Sequence, residues 1–453
     1  MGNNFNRIRK DGGLSRRRFI AQTGMAAAAF TILPGRMQGA KKKAPSDKLN
    51  IACVGIGGQG GYDAQCCGGE NIVALCDIDD TLGIDVRKEF PNAVQYRDFR
   101  RMLEKEKSID AVVVSTPDNT HAVIAMAAMQ MGKHVYVQKP MTHDVYEAKR
   151  LAEFAKEKNL VTQMGNQGHA EEESRLLLEW MADGAIGDVT EVHVWTNRPI
   201  WPQGDMQRPP EIPSCPDTLD WNLFLGPAPI RPYHPAYHPF AWRGWFDFGT
   251  GAMGDMGAHL LDQPFWALDL GYPTSIQASS TKFTKETYPL ASMITYQFPA
   301  RKGKPPVKLI WYDGGLAPAR PEELEPGRQM GDGGGGALYI GTKGKLMHGT
   351  YGRGLRIIPE TKMQEYKQPK KTIPRTPEIH LDWIEAIKNG KKSTTDFSYS
   401  SKLTITMLLG NIAIQTAEKK TVLEWDANNF TFTNLPEANE YLRREYRPGW
   451  SLG

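Results

Sequence analysis

Three side chains have the types and spacing to move a proton on and off a hydroxyl: Lys139, Asp255 and His259. Lys139 stands in Gln138-Lys139-Pro140, directly after the strand-like run His134-Val135-Tyr136-Val137. Asp255 and His259 are four residues apart, so on a helix they share a face. An amine, a carboxylate and an imidazole held together can deprotonate an alcohol and stabilise the oxygen left behind. Each also has a plainer reading: Lys-Pro as an exposed turn, Asp255 as a helix cap after Gly254, and His259 as a core histidine. The run from Leu260 to Trp266 predicts a helix broken near Pro264, with Asp262 a nearby carboxylate of structural character.

The elements that must position these groups begin at Leu49. Leu49 to Val54 is a buried-strand run leading into Gly55-Ile56-Gly57-Gly58-Gln59-Gly60, a G-x-G-x-x-G motif placed between strand and helix. The first glycine permits a tight turn, the second lets backbone amides approach a pyrophosphate, and the third lets the helix pack on the strand. A second strand, Ile72 to Cys76, ends at Asp77, 22 residues after Gly55, where a carboxylate would bind adenosine ribose hydroxyls. Ile78-Asp79-Asp80 follows without a cation, which favours NAD over NADP. Strand and helix then alternate through Ala111–Val114, His134–Val137 and Val161–Met164, and each strand ends in a polar cluster. The pattern predicts an α/β Rossmann domain over residues 48–167, a doubly wound parallel sheet with ligands at the carboxyl ends of its strands.

After residue 168 the pattern changes. A helix from Glu171 to Asp183 and a strand from Val189 to Thr196 precede roughly fifty loop-like residues dense in Pro and Trp. Later strands (Ala291–Gln297, Val307–Tyr312, Leu338–Gly341) and helices (Leu381–Lys388, Lys402–Ala417) predict an α+β domain over 168–430 with a mostly antiparallel open sheet, then a tail over 431–453. In the aromatic segment Tyr237, Trp242 and Arg243 could stack on and hydrogen-bond a sugar ring, or the aromatics could pack a long loop on its own core. Gly331 to Gly336 precedes a strand instead of a helix and reads as a flexible loop, not a phosphate cradle.

The motifs together resemble the Gfo/Idh/MocA oxidoreductase family, which includes glucose-fructose oxidoreductase and inositol 2-dehydrogenase. The resemblance rests on Ser115-Thr116-Pro117-Asp118-Asn119-Thr120-His121, on Gly132-Lys133-His134-Val135 leading into Gln138-Lys139-Pro140, and on the Asp255-x-x-x-His259 pattern, and it runs from residue 48 to about 430. It implies a pyridine-nucleotide oxidoreductase acting on a polyol, sugar or glycoside. It also implies cofactor contacts from Thr116, Pro117, Asp118, His121, Gln138 and Asn166 beside Gly55, Gly57, Gly58, Gln59, Gly60 and Asp77. Gln138 departs from the family's usual Glu, leaving a neutral hydrogen bond beside the nicotinamide ribose. The implied roles are His259 as proton acceptor, Lys139 as donor to the developing alkoxide and Asp255 as orienter, with the proton's resting place between Lys139 and His259 left open. A homo-oligomer through the second-domain sheet is also implied.

At the N-terminus, Ser15-Arg16-Arg17-Arg18-Phe19-Ile20 before an apolar stretch to Leu33 has the layout of a twin-arginine export signal over residues 1–40. The apolar part is too short for a membrane span. Export of a folded protein implies the twin-arginine machinery as partner, an exported or periplasmic location, and a cofactor loaded beforehand and held tightly. The first 40 residues hold seven Lys/Arg against one Asp, so the net +4 of the chain becomes −2 once they are set aside, which argues against a nucleic-acid partner. Five cysteines without C-x-x-C spacing argue against a disulfide framework or a metal site. Two further readings remain beside the dehydrogenase: a redox-neutral, NAD-dependent glycoside hydrolase, and a non-catalytic sugar-binding protein on the same fold.

Overall fold

Strands β1 (Asn50–Val54), β2 (Asn71–Cys76), β3 (Val94–Tyr96), β4 (Ala111–Val114), β5 (His134–Val137) and β6 (Thr162–Met164) form one parallel sheet in the order β3-β2-β1-β4-β5-β6. The apolar runs of the central strands β1, β4 and β5 are buried on both faces, as a parallel sheet between helices requires. The computed structural model describes residues 47–376 and 378–453; the export signal expected over 1–40 lies outside the described residues. β3 and the helix Ile84–Glu89 were not legible, because both are short and largely exposed.

The second sheet has nine strands: β7 (Val189–Thr196), β8 (Ser275–Ser280), β9 (Ser292–Phe298), β10 (Val307–Tyr312), β11 (Gly335–Gly341), β12 (Lys345–His348), β13 (Arg356–Ile358), β14 (Leu423–Asp426) and β15 (Thr431–Phe432). Their order is β13-β12-β11-β7-β10-β9-β8-β14-β15, antiparallel throughout except where β7 and β10 run together. β9 and β10 alternate buried and more exposed residues along their length, so one face packs on helices and the other is more exposed there, while Leu324 and Met330 cover that second face over β7, β11, β12 and β13. The almost wholly buried helix Phe397–Gln415 joins the two sheets, lying against the helix Val145–Glu157 on one side and β8 and the helix Gly251–Leu260 on the other. The tail also docks: Arg444 bonds Glu147 at 2.7 Å, and Arg447 bonds Asn222 at 2.7 and 2.8 Å.

Three expectations are corrected. Gly335 and Gly336 are not loop but strand, paired with Thr196 and Trp195, and the turn before them is pinned because Asp332 accepts the amides of Gly334, Gly335 and Thr350. The helix after His259 breaks at Leu261, not at Pro264. Pro264 sits in the first turn of the helix Asp262–Ala267, where a missing N–H costs nothing. Tyr237 is 3% exposed inside the aromatic segment's own core with Phe224, Trp245 and Phe248, so its ring has no free face for a sugar.

Candidate active site

Lys139 leaves the sheet at the end of β5, and its ammonium bonds Asp255 at the carboxylate Oδ1 (2.9 Å) and the backbone carbonyl (2.7 Å). Asp255 and His259 lie one turn apart on the helix Gly251–Leu260, as their spacing predicted. Arg198 Nε and Arg243 Nε stand 3.6 and 3.7 Å from the same carboxylate. Burial alone would raise the Asp255 carboxyl, but the Lys139 charge, with Arg243, the Lys139 hydrogen bond and Arg198, holds it well below the usual carboxylate range. Burial, reinforced by the positive charge of Lys139, pushes His259 well below the ordinary imidazole value. His259 is therefore neutral at physiological pH, a proton acceptor beside an ammonium fixed on a carboxylate.

Sequence reasoning missed Arg198 and Tyr351. The Tyr351 ring meets His259 edge-on, centroids 4.7 Å apart, and its backbone is left-handed (φ 62°), a conformation that a bulky residue adopts only when its surroundings impose it. The turn that carries it is held by Asp332, which accepts the amide (2.7 Å) and hydroxyl (2.9 Å) of Thr350, and by the Gly349 amide on the Arg353 carbonyl (2.7 Å). The only sequence signal was the glycine-flanked Asp332.

The glycine loop fits a dinucleotide. A Cβ on Gly60 would lie 1.9 Å from the Gly55 carbonyl oxygen, so the helix packs on the strand as closely as that motif needs, while Gly58 and Gln59 are exposed. Asp77 accepts the Ile56 amide at 2.8 Å and the Asp79 amide at 3.0 Å, bracing the loop and keeping one lone pair per oxygen for a ribose hydroxyl. Thr116 and Pro117 are half-buried at the end of β4. Asn166 is fully buried and, among the described residues, both its side-chain amide atoms are unpartnered, as a residue awaiting a ligand would be.

Three residues expected at the cofactor are turned elsewhere. Gln138 donates to both oxygens of the buried Asp63 (3.0 and 2.9 Å), which also accepts Ser115 Oγ and His380 Nε2; a Glu at 138 would set its carboxylate against that of Asp63. His121 faces the carbonyls of Thr116 and Pro140 at 2.8 Å each, so both nitrogens are spent on backbone. Asp118 accepts the Thr250 hydroxyl and ties the Rossmann helix Asp118–Gln130 to the residue before the Asp255 helix. Trp242 is buried, and Arg243 reaches the site across its ring (4.3 Å). Cys66, Glu378 and His380 offer ligand atoms within 4.8 Å of one another, but Glu378 caps the helix Ile379–Asn389 and His380 is paired with Asp63.

A segment of the second domain crosses the tip of β2. Asp79 and Leu219 form an antiparallel bridge, the Asp80 amide donates to the Thr218 carbonyl (3.0 Å), and the Asp220 amide donates to the Ile78 carbonyl (2.9 Å). His238 Nε2 lies 2.8 Å from Asp79, and Arg97 joins Asp80 to the Thr218 carbonyl.

The six-stranded parallel sheet and its glycine loop define a dinucleotide-binding Rossmann class. Residues 49–166 match the family described as an oxidoreductase family with NAD-binding Rossmann fold, and residues 175–300 match its C-terminal alpha/beta domain. Together these cover more than half of the chain, which belongs to the Gfo/Idh/MocA oxidoreductase family. Among curated relatives, scyllo-inositol 2-dehydrogenase (NADP(+)) of Bacillus subtilis is 23% identical over 195 residues, 43% of this chain and 44% of that one. Levoglucosan dehydrogenase of Pseudarthrobacter phenanthrenivorans is 24% identical over 42% of this chain and 40% of its own. A glycosyl hydrolase family 109 protein of Shewanella pealeana is 26% identical over 39% and 44%. The matches thus span less than half the length of these relatives. Among solved structures, GenD2 from gentamicin A biosynthesis in complex with NAD shares the fold at TM-score 0.58 and 19% identity, covering 86% of this chain and 99% of that one. Levoglucosan dehydrogenase in complex with NADH does so at 0.54 and 17%, covering 83% and 99%.

Proposed function

We propose that the protein is an exported, NAD-dependent oxidoreductase that takes hydride from a secondary alcohol of a sugar, polyol or glycoside and keeps its cofactor between turnovers. The observation that carries this reading is the Lys139 ammonium clamped on Asp255 beside a neutral His259, at the carboxyl end of a Rossmann strand. The backbone of Gly57, Gly58 and Gln59, with Asp77, Thr116, Pro117 and Asn166, would hold the dinucleotide, whose nicotinamide supplies the hydride acceptor. His259 accepts the hydroxyl proton. Lys139 has three N–H donors and spends two on Asp255, leaving one for the substrate oxygen as it gains negative charge. NAD is favoured over NADP because the Asp77 carboxylate, which accepts only the backbone amides of Ile56 and Asp79, would face a 2′-phosphate. Retention is supported by the segment pinned across the β2 tip, and assembly by the more exposed face of β9 and β10. Among the described residues no helix is long and apolar enough to cross a membrane.

Denaturing the purified protein and identifying the released nucleotide and its redox state tests the reading, followed by single-turnover reduction of the bound cofactor with a panel of sugars. Recovery of no nucleotide, or of NADP alone, would contradict it. Arg16→Lys with Arg17→Lys should leave the protein in the cytoplasm, since the charge is kept and only the guanidinium shape is lost. The hydrolase relatives favour a second reading, in which oxidation acidifies a neighbouring C–H, the glycosidic bond eliminates, water adds and the hydride returns. Release of sugar from a chromogenic glycoside with no net NADH would establish it.

A further inference from the structure

Immediately after Asn166, the 3₁₀ turn Gln167–Ala170 carries His169, which is 1% exposed. Its Nδ1 lies 3.1 and 3.0 Å from the two carboxylate oxygens of Asp262, and Asp262 also accepts the Tyr399 hydroxyl at 2.6 Å. The ring stacks on Trp266 with centroids 3.8 Å apart, and Tyr399 closes its edge at 5.2 Å. Orientation is therefore fixed from three sides. Yet among the described residues His169 Nε2 is buried without a partner.

Three other buried histidines look different, although His238, bonded to Asp79, also keeps a buried nitrogen (Nδ1) without a partner among the described residues. His121, His348 and His380 are as deeply buried, and each spends both ring nitrogens on protein groups. His169 shares its half-paired state with His259, whose Nδ1 is also buried and unpartnered. The two are linked through Tyr351: a Cβ on Gly168 would lie 2.9 Å from Tyr351 Cα, and the Tyr351 ring meets His259. Asn166 and Gln263 Oε1 add unpartnered buried polar atoms from the residues flanking this pair. With Asp262 claiming the Nδ1–H, Nε2 presents a lone pair, and a buried lone pair of that kind calls for a hydroxyl donor.

We infer that His169, oriented by Asp262, is a second substrate-binding histidine that accepts the hydroxyl hydrogen of another carbon of the ring being oxidised, so the site selects a polyol or sugar over a simple secondary alcohol. The inference rests on the dehydrogenase reading above. Asp262 and Tyr399 are then positioning residues.

The test uses the nucleotide-loaded protein with scyllo-inositol, levoglucosan and methyl α-D-glucoside, each beside its monodeoxy analogues. His169→Ala should keep its nucleotide and lose about tenfold in kcat/KM, the order expected for one hydrogen bond. The monodeoxy sugar that costs the natural protein a similar factor should cost His169→Ala nothing further, while His169→Gln, which restores a polar atom, should recover part of the loss. Tyr399→Phe should weaken the same discrimination by less. If His169→Ala does not fold, His169→Gln and Tyr399→Phe carry the comparison. Equal discrimination of the deoxy sugars by the natural protein and the His169 variants would mean that Nε2 meets only an ordered water, and the inference would fall alone. A natural protein that holds NAD but turns over no sugar in the panel would overturn the dehydrogenase reading and the inference with it.

Discussion

Lys139 Nζ meets Asp255 twice, at a carboxylate oxygen 2.9 Å away and at the residue's own backbone carbonyl 2.7 Å away. The second contact depends on helix placement and not on a side-chain rotamer, so the end of β5 and the helix Gly251–Leu260 are held in one register. Lys139→Ala and His259→Ala should each keep bound NAD and lose about a hundredfold to ten-thousandfold in single-turnover hydride transfer. The double variant should fall little below the worse single one, because groups acting as a unit are not additive. Near-normal turnover in both single variants would remove the proposed site.

The depressed His259 sets a pH expectation. Neutral imidazole is the working form, and its folded pKa lies below the ordinary 6.5, so the working form persists as pH falls through 6.5. Alcohol oxidation should hold a plateau down to that pH and decline only below it. The same shift makes stability fall as pH drops below about 6.5, because the unfolded chain then binds a proton that the folded site refuses. A kcat/KM limb near 6.5 that vanishes in His259→Gln would contradict the assignment.

Gln138 and Asp63 offer a stability test. Gln138→Glu would place a second carboxylate where Gln138 Nε2 now donates to Asp63 at 2.9 and 3.0 Å, and both residues are buried. We expect a loss of about 1–3 kcal/mol at neutral pH, the cost of an unmet buried polar group. The new glutamate's pKa would be raised, so the loss should ease as pH falls and the carboxyl takes a proton. Asp63→Asn in the same chain should restore most of it, measured by denaturant unfolding. An unchanged midpoint would mean the pair is not coupled.

What the sequence made legible was local. The glycine motif, the carboxyl-end clusters and the i, i+4 pair each follow from short-range periodicity, and the parallel sheet and the Asp255–His259 helix lie where it put them. The residues it missed or misdirected depend on contacts across long stretches of chain. Gln138 turns from the cleft because Asp63, 75 residues earlier, needs donors. Tyr351 meets His259 from a turn that Asp332, 18 residues before Thr350, helps to hold. Tyr237 looked like a sugar platform because an aromatic residue in a Pro-rich run has the same composition whether it faces a ligand or packs its own loop, and only its burial decides.

The segment across the β2 tip yields the last prediction. The end of β2 is where a Rossmann domain holds the adenosine ribose. Here Asp79 and Asp80 are bridged to Leu219 and Thr218 from the second domain, so a dinucleotide seated there would have to leave past this strap. Two side chains add to the backbone pairing: His238 on Asp79, and Arg97 on Asp80 and the Thr218 carbonyl. If the strap sets the release rate, each hydrogen-bond deletion at about 1 kcal/mol should speed release about fivefold, and His238→Ala with Arg97→Ala about thirtyfold together. The measurement is a chase of labelled NAD from preloaded protein, which needs no sugar substrate. Since Arg97 is partly exposed, its share should shrink at high salt while that of the more buried His238 persists. Release rates that match the unaltered protein in the double variant would place the barrier to exchange elsewhere than at this strap.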